Sequence, residues 1–409
     1  MLYLFTRWQK LQECMPLRNE RSNGSTRLLV VPCDPWSVFG SRGDEAMINA
    51  TIDHMSTLHP DLEIGVITAE SLGTHAVRER GFTPFEVWCG RDYLDQIAQT
   101  IVDFDPDYGI VLGADVMDGY YAPLMSVSLL AAADLMSRHH VKTSLLGFSF
   151  NNQPHVSMIR GFRIASKELV IHVRDPLSLA RFEAFTGRKA VQVADAAFLM
   201  QGMSDFEEFE SVRTWTNQRR LTGEAVLGVN LHPMLIPHAT DDVIAEHCQI
   251  IATVMKKLLA DHSVSLLLLP HDYRDRVGDR YSLDPLAELL IEHYPSRVRY
   301  VRTEYSARQL KAIVGLADGL LSARMHLAIA ALSKGVPVCA FIYQDKFHGL
   351  FRLFDFPEQY LFSPPTYSAE QQLYKAIVEF VGELPVLRER VSGKLAEVQR
   401  LAQSNLEWS

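Results

Sequence analysis

The sequence predicts an α/β protein built from two doubly wound, parallel-sheet halves. Three observations carry this reading. Short apolar runs alternate with amphipathic, helix-like stretches almost from end to end. The alternation stops once, over a polar segment at residues 201–224, and then restarts. The chain is also 409 residues long, more than one compact domain usually holds. Strands buried on both faces and separated by helices imply parallel sheets with right-handed crossovers.

In chain order, residues 1–26 open with "MLYLFTRWQKLQEC" and are expected to form an irregular arm ahead of the first strand. Its apolar run is too short for a signal peptide, and no run approaches the ~20 residues of a membrane span. The first half, residues 27–200, contains "RLLVVPCD", "EIGVITAE", "YGIVLGAD", "KTSLLGFSF" and "ELVIHVRD", each followed by a loop or helix-like segment. Residues 201–224, "QGMSDFEEFESVRTWTNQRRLTGE", lack regular periodicity and are expected to be a linker. The second half, residues 225–367, contains "VLGVNLHP", "SVSLLLLPHD", "VRYVRTE", "DGLLSAR" and "VPVCAFIY". Residues 368–409 read as helical, broken around Pro385.

Composition narrows the function classes. Apolar residues make up 47% and charged residues 22%, ordinary values for a protein with full cores. A net charge of −9 argues against a nucleic-acid partner, yet allows a local basic pocket for a small anion. The five cysteines are scattered and lack Cys-x-x-Cys spacing, which argues against a zinc site or disulfide framework and fits a reducing cytosol. No metal-ligand set is evident. A cytoplasmic location is expected, with peripheral association at the inner face of the plasma membrane still compatible.

In open parallel sheets, ligands sit beyond the carboxyl ends of strands, and two facing sheets make the interdomain cleft the default site. That rule gives the charged residues their meaning. Arg324 ends "DGLLSAR", and Met325 and His326 open the helix-like "HLAIAALSKG". A helix N-terminus favours anions, an arginine fork grips carboxylate or phosphate, and a histidine exchanges protons. His271 and Asp272 follow the most apolar strand, His232 follows "VLGVNL", and Lys346 and His348 follow "VPVCAFIY". Together these residues predict one cationic, histidine-lined wall. In the first half, Gly43 precedes Asp44 and Glu45 at the start of an amphipathic helix, where Asp44 also suits a cap. Arg174–Asp175 ends another strand with Ser178 in the next helix's first turn, a pattern that an internal ion pair plus a cap explains.

The segment "SARMHLAIAALSKGVPVCAFIYQDKFHGLFRLFDF" resembles the C-terminal signature of the polysaccharide pyruvyl transferase family. The matching residues are Arg324-Met325-His326, Gly335-Val336-Pro337, and Tyr343 with Lys346. "SRGDEAMI" is similar to the family's N-terminal Gly-Asp turn, and "VIHVRDPLSLARF" with "VADAAFLM" to its Arg-Asp…Ser and Asp-x-x-Phe elements. This resemblance implies two Rossmann-like domains facing a cleft, a fold like that of the GT-B glycosyltransferases. It implies transfer of the enolpyruvyl carbons of phosphoenolpyruvate onto two hydroxyls of one sugar, with Arg324 and His326 contacting the donor. The chain departs from the family in having only Gly113 where many members carry a glycine pair, and His232 where members often carry arginine.

That reaction suits the residue types. Phosphoenolpyruvate carries up to three negative charges, which Arg324, Lys346 and a helix terminus would bind. Protonation of carbon 3 calls for a general acid, with His326 first and His271 or His232 second. Asp44 or Glu45 would stabilise positive charge developing at carbon 2. Gly43, Asp272, Tyr343 and Arg174 complete the expected substrate-binding set. The expected acceptor is a saccharide, lipid-linked or free, with no cofactor beyond the co-substrate. Two rivals are a nucleotide-sugar glycosyltransferase of the same fold and a non-catalytic carbohydrate-binding scaffold. The first would want a ribose-binding glutamate a turn into a late helix, and "MHLAIAALSKG" has none.

Overall fold

The computed structural model describes residues 1–18, 24–236, 239–342 and 345–408. The chain divides into two compact units, Met1–Met200 with Gln399–Ser409, and Gln201–Val398.

Unit 1 runs α1 (Leu2–Cys14), β1 (Arg27–Val31), α2 (Arg42–Leu58), β2 (Glu63–Thr68), α3 (Ser71–Glu79), β3 (Thr83–Glu86) and α4 (Tyr93–Phe104). It continues with β4 (Tyr108–Val111), α5 (Pro123–Arg138), β5 (Lys142–Phe148), α6 (Val156–Ile164), β6 (Val170–Val173), α7 (Pro176–Thr186) and β7 (Val191–Gln192). The seven strands are ordered β3-β2-β1-β4-β5-β6-β7, and every pairing is parallel. Leu28 to Val31 are wholly buried, as a central strand covered on both faces requires.

Unit 2 runs α8 (Glu207–Leu221), β8 (Ala225–Val229), α9 (Asp241–Asp261), β9 (Val264–Leu268), α10 (Arg280–Ile291), β10 (Val298–Tyr300) and α11 (Ala307–Val314). It continues with β11 (Gly319–Ser322), α12 (Met325–Leu332), β12 (Val338–Phe341), α13 (Lys346–Leu353), β13 (Leu361–Phe362), α14 (Pro364–Tyr367) and α15 (Glu370–Gln403). Its six strands are ordered β10-β9-β8-β11-β12-β13, again all parallel. Both units therefore build outward from their first strand in one direction, then cross back and build in the other.

Three expectations about the chain's organisation differ from what is observed. The opening residues form helix α1, which buries Leu4, Phe5 and Trp8. Its anchor is the buried Asp134 carboxylate on α5, which accepts from Trp8 Nε1 at 2.8 Å, Gln12 Nε2 at 2.7 Å and Ser166 N at 2.6 Å. Residues 201–224 are not a free linker. They hold α8, whose Arg220 pairs with Asp318 at 2.9 Å and whose neighbour Trp215 donates to Ser296 O. Periodicity missed it because only Val212 and Thr216 of this helix are buried. Helix α15 runs unbroken through Pro385, and its last turns belong to unit 1.

The chain end is tied into unit 1 by Asn405, which is wholly buried. Its Oδ1 accepts from Gly147 N at 2.7 Å, and its carbonyl accepts from Ser144 Oγ at 2.7 Å. Ser144 Oγ in turn lies 3.1 Å from His172 Nδ1. Burial pushes the His172 imidazole down from 6.5 to about 4. The folded chain thus refuses a proton that the unfolded chain accepts, so stability present above pH ~6.5 is lost as pH falls toward ~4. This one residue should cost unit 1 up to about 3 kcal/mol across that window. In urea titrations, His172→Asn should flatten the acid slope between pH 6.5 and 4, and an unchanged slope would remove His172 as its source.

Candidate functional site

In unit 2, β8 and β11 are neighbours from which the chain departs in opposite directions, so the loops leaving their carboxyl ends flank a switch point. Arg324 sits there as the N-cap residue of α12, and His232 follows β8. Arg324 is held by a residue whose pairing with it carries no local mark in the sequence. Asp279, just before α10, is wholly buried and accepts four hydrogen bonds. The donors are Arg324 Nε at 2.7 Å, Asn230 Nδ2 at 2.7 Å, His271 N at 2.7 Å and Asp272 N at 3.1 Å. One carboxylate therefore ties together the ends of β8, β9 and β11. Burial pushes the Asp279 carboxyl up, and the Arg324 charge with the hydrogen bonds from His271 N and Asn230 offsets part of that rise.

Arg324 is accordingly not a free fork. Its Nε edge is engaged by Asp279, and its Nη2 donates to Val277 O at 2.8 Å and lies 3.3 Å from Asp272. No hydrogen bond engages Nη1 among the described residues, and the side chain is 15% exposed. The arginine is thus held at a fixed angle with one donor directed away from its clamp. Asp272 itself pairs with Arg274 Nη2 at 2.6 Å. Burial pushes the Asp272 carboxyl up, but the Arg274 hydrogen bond and the Arg324 charge outweigh it and hold the group below its ordinary value. Its expected role on the substrate is therefore corrected to a wall residue that orients two arginines.

His232 is also corrected. It is buried, with Nε2 donating to Ala323 O at 3.1 Å and Nδ1 accepting from Met234 N at 3.1 Å. That pair of bonds fixes a neutral tautomer. Burial, with the Arg324 and Lys346 charges, holds its pKa well below 6.5, so it is not the general acid. Lys346 is the first residue of α13, the helix that follows β12. His326 is half-buried in the first turn of α12, whereas the Met325 side chain is buried and offers a ligand only its backbone. His271 is buried directly after Pro270. Tyr343 lies outside the described residues.

In unit 1, α2 begins at Arg42 with Ser41 as its cap, and Gly43 N donates to Ser41 Oγ at 3.2 Å. Gly43 is thus a helical residue, not part of a ligand-cradling turn, and Asp44 is not the cap. Glu45 is buried between Arg42 at 3.2 Å and Arg80 at 3.3 Å, which corrects its expected role as a substrate-facing carboxylate. Asp44 accepts from Cys33 Sγ at 3.2 Å at the carboxyl end of β1 and stays the candidate carboxylate. Arg174 is corrected to an internal strut. Almost wholly buried, it donates to Asp195 at 2.7 Å and to Ser149 Oγ at 2.8 Å. Among the described residues, no group of three or more His, Cys, Asp or Glu side chains is placed to hold a metal ion.

A signal for Asp279 did exist, in the "VGDR" step ahead of a helix. Gly278 is there because a Cβ would stand 2.6 Å from Arg274 O, so the chain doubles back tightly enough to bring Asp279 under the strand ends. Replacing Asp279 with Ala should strand the Arg324 charge and three further donors. The expected cost is about 3 kcal/mol, measured by urea unfolding. An unchanged midpoint and slope would show that the clamp does not support unit 2.

Comparison with solved structures agrees with this architecture. A UDP-GlcNAc 2-epimerase from Neisseria meningitidis, bound to UDP-GlcNAc, superposes with a TM-score of 0.55 at 13% identity, covering 93% of this chain and 99% of that one. A glycosyltransferase from Rickettsia africae gives 0.54 at 11% identity, covering 95% and 100%. A UDP-GlcNAc 2-epimerase from Methanocaldococcus jannaschii gives 0.54 at 11% identity, covering 87% and 92%. At such identities the likeness establishes a GT-B-like, two-domain α/β fold and nothing further. No curated protein matches the sequence. The family model for polysaccharide pyruvyl transferase matches residues 42–345, from the first residue of α2 to the turn before α13, and so takes in Asp44, the Asp279 clamp, Arg324 and His326. The chain belongs to the polysaccharide pyruvyl transferase family and is a pyruvyltransferase acting on polysaccharide.

Proposed function

We propose that the donor is phosphoenolpyruvate and that the product is a cyclic pyruvate ketal on two hydroxyls of one sugar. The observation that carries this reading is the clamped Arg324 at the N-terminus of α12, at the switch point of unit 2, with Lys346 opening α13 after the next strand. A compact trianion suits that combination of a held guanidinium, an ammonium and unpaired helix N–H groups. In the proposed sequence a proton is delivered to carbon 3, which makes carbon 2 electrophilic. A sugar hydroxyl adds there and loses its proton. The bond from carbon 2 to the phosphate oxygen then breaks, phosphate leaving with the electron pair, and the second hydroxyl closes the ring as its proton departs. His326 is assigned the proton transfer, with His271 second. The reading calls for no resident cofactor, and the acceptor is a saccharide, lipid-linked or free.

The test is incubation with phosphoenolpyruvate and a panel of lipid-linked and aryl glycosides. Phosphate release with a matching mass gain in the sugar is expected. Phosphoenolpyruvate at about a hundred times its Kd should also stabilise the chain by roughly 2.7 kcal/mol. A melting shift with UDP-GlcNAc and none with phosphoenolpyruvate would overturn the donor assignment in favour of a nucleotide-sugar enzyme. For His326→Gln, turnover should drop by about 10²–10⁴ with a much smaller change in donor affinity. Normal turnover at saturation would move the proton transfer to His271.

A further inference from the structure

Unit 1 has a switch point of its own, between the neighbouring strands β1 and β4. The loops leaving these strands display three large aromatic side chains to solvent: Trp36, 41% exposed, Tyr120, 53%, and Tyr121, 46%. Exposed rings on a loose loop would mean little, but these loops are pinned. Asp34 Oδ1 accepts from Trp36 N at 3.1 Å, and Asp34 Oδ2 accepts from Ser37 Oγ at 2.5 Å. The carbonyls of Pro35 and Trp36 press on α3 so closely that a Cβ at Gly73 would stand 2.7 and 2.8 Å from them. On the other side, Asp118 Oδ1 accepts from Tyr120 N at 2.9 Å and Oδ2 from Asn151 N at 3.2 Å. The two tyrosine rings meet edge to face, centroids 5.2 Å apart at 89°.

Asp118 is buried, and burial lifts its carboxyl to about 6, so the protein sustains a desolvated acid to keep these rings presented. Rigid aromatic side chains displayed beside a sheet's switch point are a binding feature, because large exposed apolar surface is otherwise unfavourable. The surrounding charge names the ligand class. Asp34 and Asp118 anchor the two loops, and Asp44 accepts from Cys33 Sγ at 3.2 Å just past the end of β1, so carboxylates gather at this edge. Carboxylates suit a neutral polyol, whose hydroxyls donate to them while its C–H face lies on an aromatic ring.

We propose that Trp36, Tyr120 and Tyr121 form the platform on which unit 1 holds the saccharide acceptor. This deepens the pyruvyl-transfer reading and rests on it for the identity of the reaction, though not for sugar binding itself. The test uses the full chain, the variants Trp36→Ala and Tyr120→Ala/Tyr121→Ala, and Trp36→Phe, which keeps a ring. Binding of methyl glycosides of glucose, galactose, mannose and N-acetylglucosamine is followed by ligand-observed NMR without phosphoenolpyruvate. Transfer kinetics are run on whichever aryl glycoside is turned over.

Each alanine variant should weaken glycoside binding and raise the saccharide KM by about tenfold, while KM for phosphoenolpyruvate holds its wild-type value. Trp36→Phe should recover most of the loss, which a merely folded-state defect would not allow. Glycoside binding lost in the variants, with no pyruvyl transfer by the wild type, would leave the platform standing and sink the reaction. Transfer with a saccharide KM unmoved by all three substitutions would sink the platform and leave the reaction. Failure of every methyl glycoside to bind the wild type would also overturn the platform.

Discussion

Much of unit 2 depends on a single buried carboxylate. Asp279 receives hydrogen bonds from groups at the ends of β8, β9 and β11, and one of its donors is the arginine on which the donor reading rests. Strand ends are where backbone groups lose their ladder partners, so a site built there needs something else to fix its geometry. A buried ion pair is a poor source of net stability, since desolvation offsets much of the attraction. What it provides is a fixed angle. The arginine arrives with its Nε edge already occupied, and its remaining donor is oriented before any ligand is present.

That clamp also shapes the roles of its neighbours. His232 sits close enough to Arg324 and Lys346 to feel both charges, and with its two ring nitrogens bound to backbone it is held neutral. The family often has arginine at this place, by the resemblance noted above. A third full cation in the same buried surroundings would need its own counter-ion, whereas a neutral imidazole needs only the two backbone partners it has. In the proposed reaction the proton transfer is accordingly assigned to His326, in the first turn of α12.

The two units reuse one topology with different side chains at the carboxyl edge. Each sheet starts from its first strand, builds one way, and crosses back. At the carboxyl edge of unit 1 Asp44 accepts from Cys33 Sγ, while at that of unit 2 Asp279 holds the Arg324 guanidinium. Parallel sheets leave helix N-termini and loop residues at this edge in both cases, and side chains on those loops decide which ligand each edge suits.

The alternation of apolar runs and amphipathic stretches determined the two parallel-sheet units, because burial on both faces leaves a continuous apolar signature in each strand. The same logic placed Arg324, His326, His271, His232 and Lys346 at strand ends. It failed at α1 and α8, where few residues are buried and the stabilising partners, Asp134 and Asp318, lie far along the chain. It also failed to tell active side chains from struts. Arg174, Glu45 and Asp272 have the composition and position of ligand-binding residues, yet each is engaged by a partner brought in by folding, Asp195, Arg80 and Arg324 respectively. Whether a charge meets a ligand or a counter-ion is set by distances between segments remote in sequence. A carboxylate 45 residues from the arginine it holds carries no local mark of that pairing, so tertiary structure alone decides it.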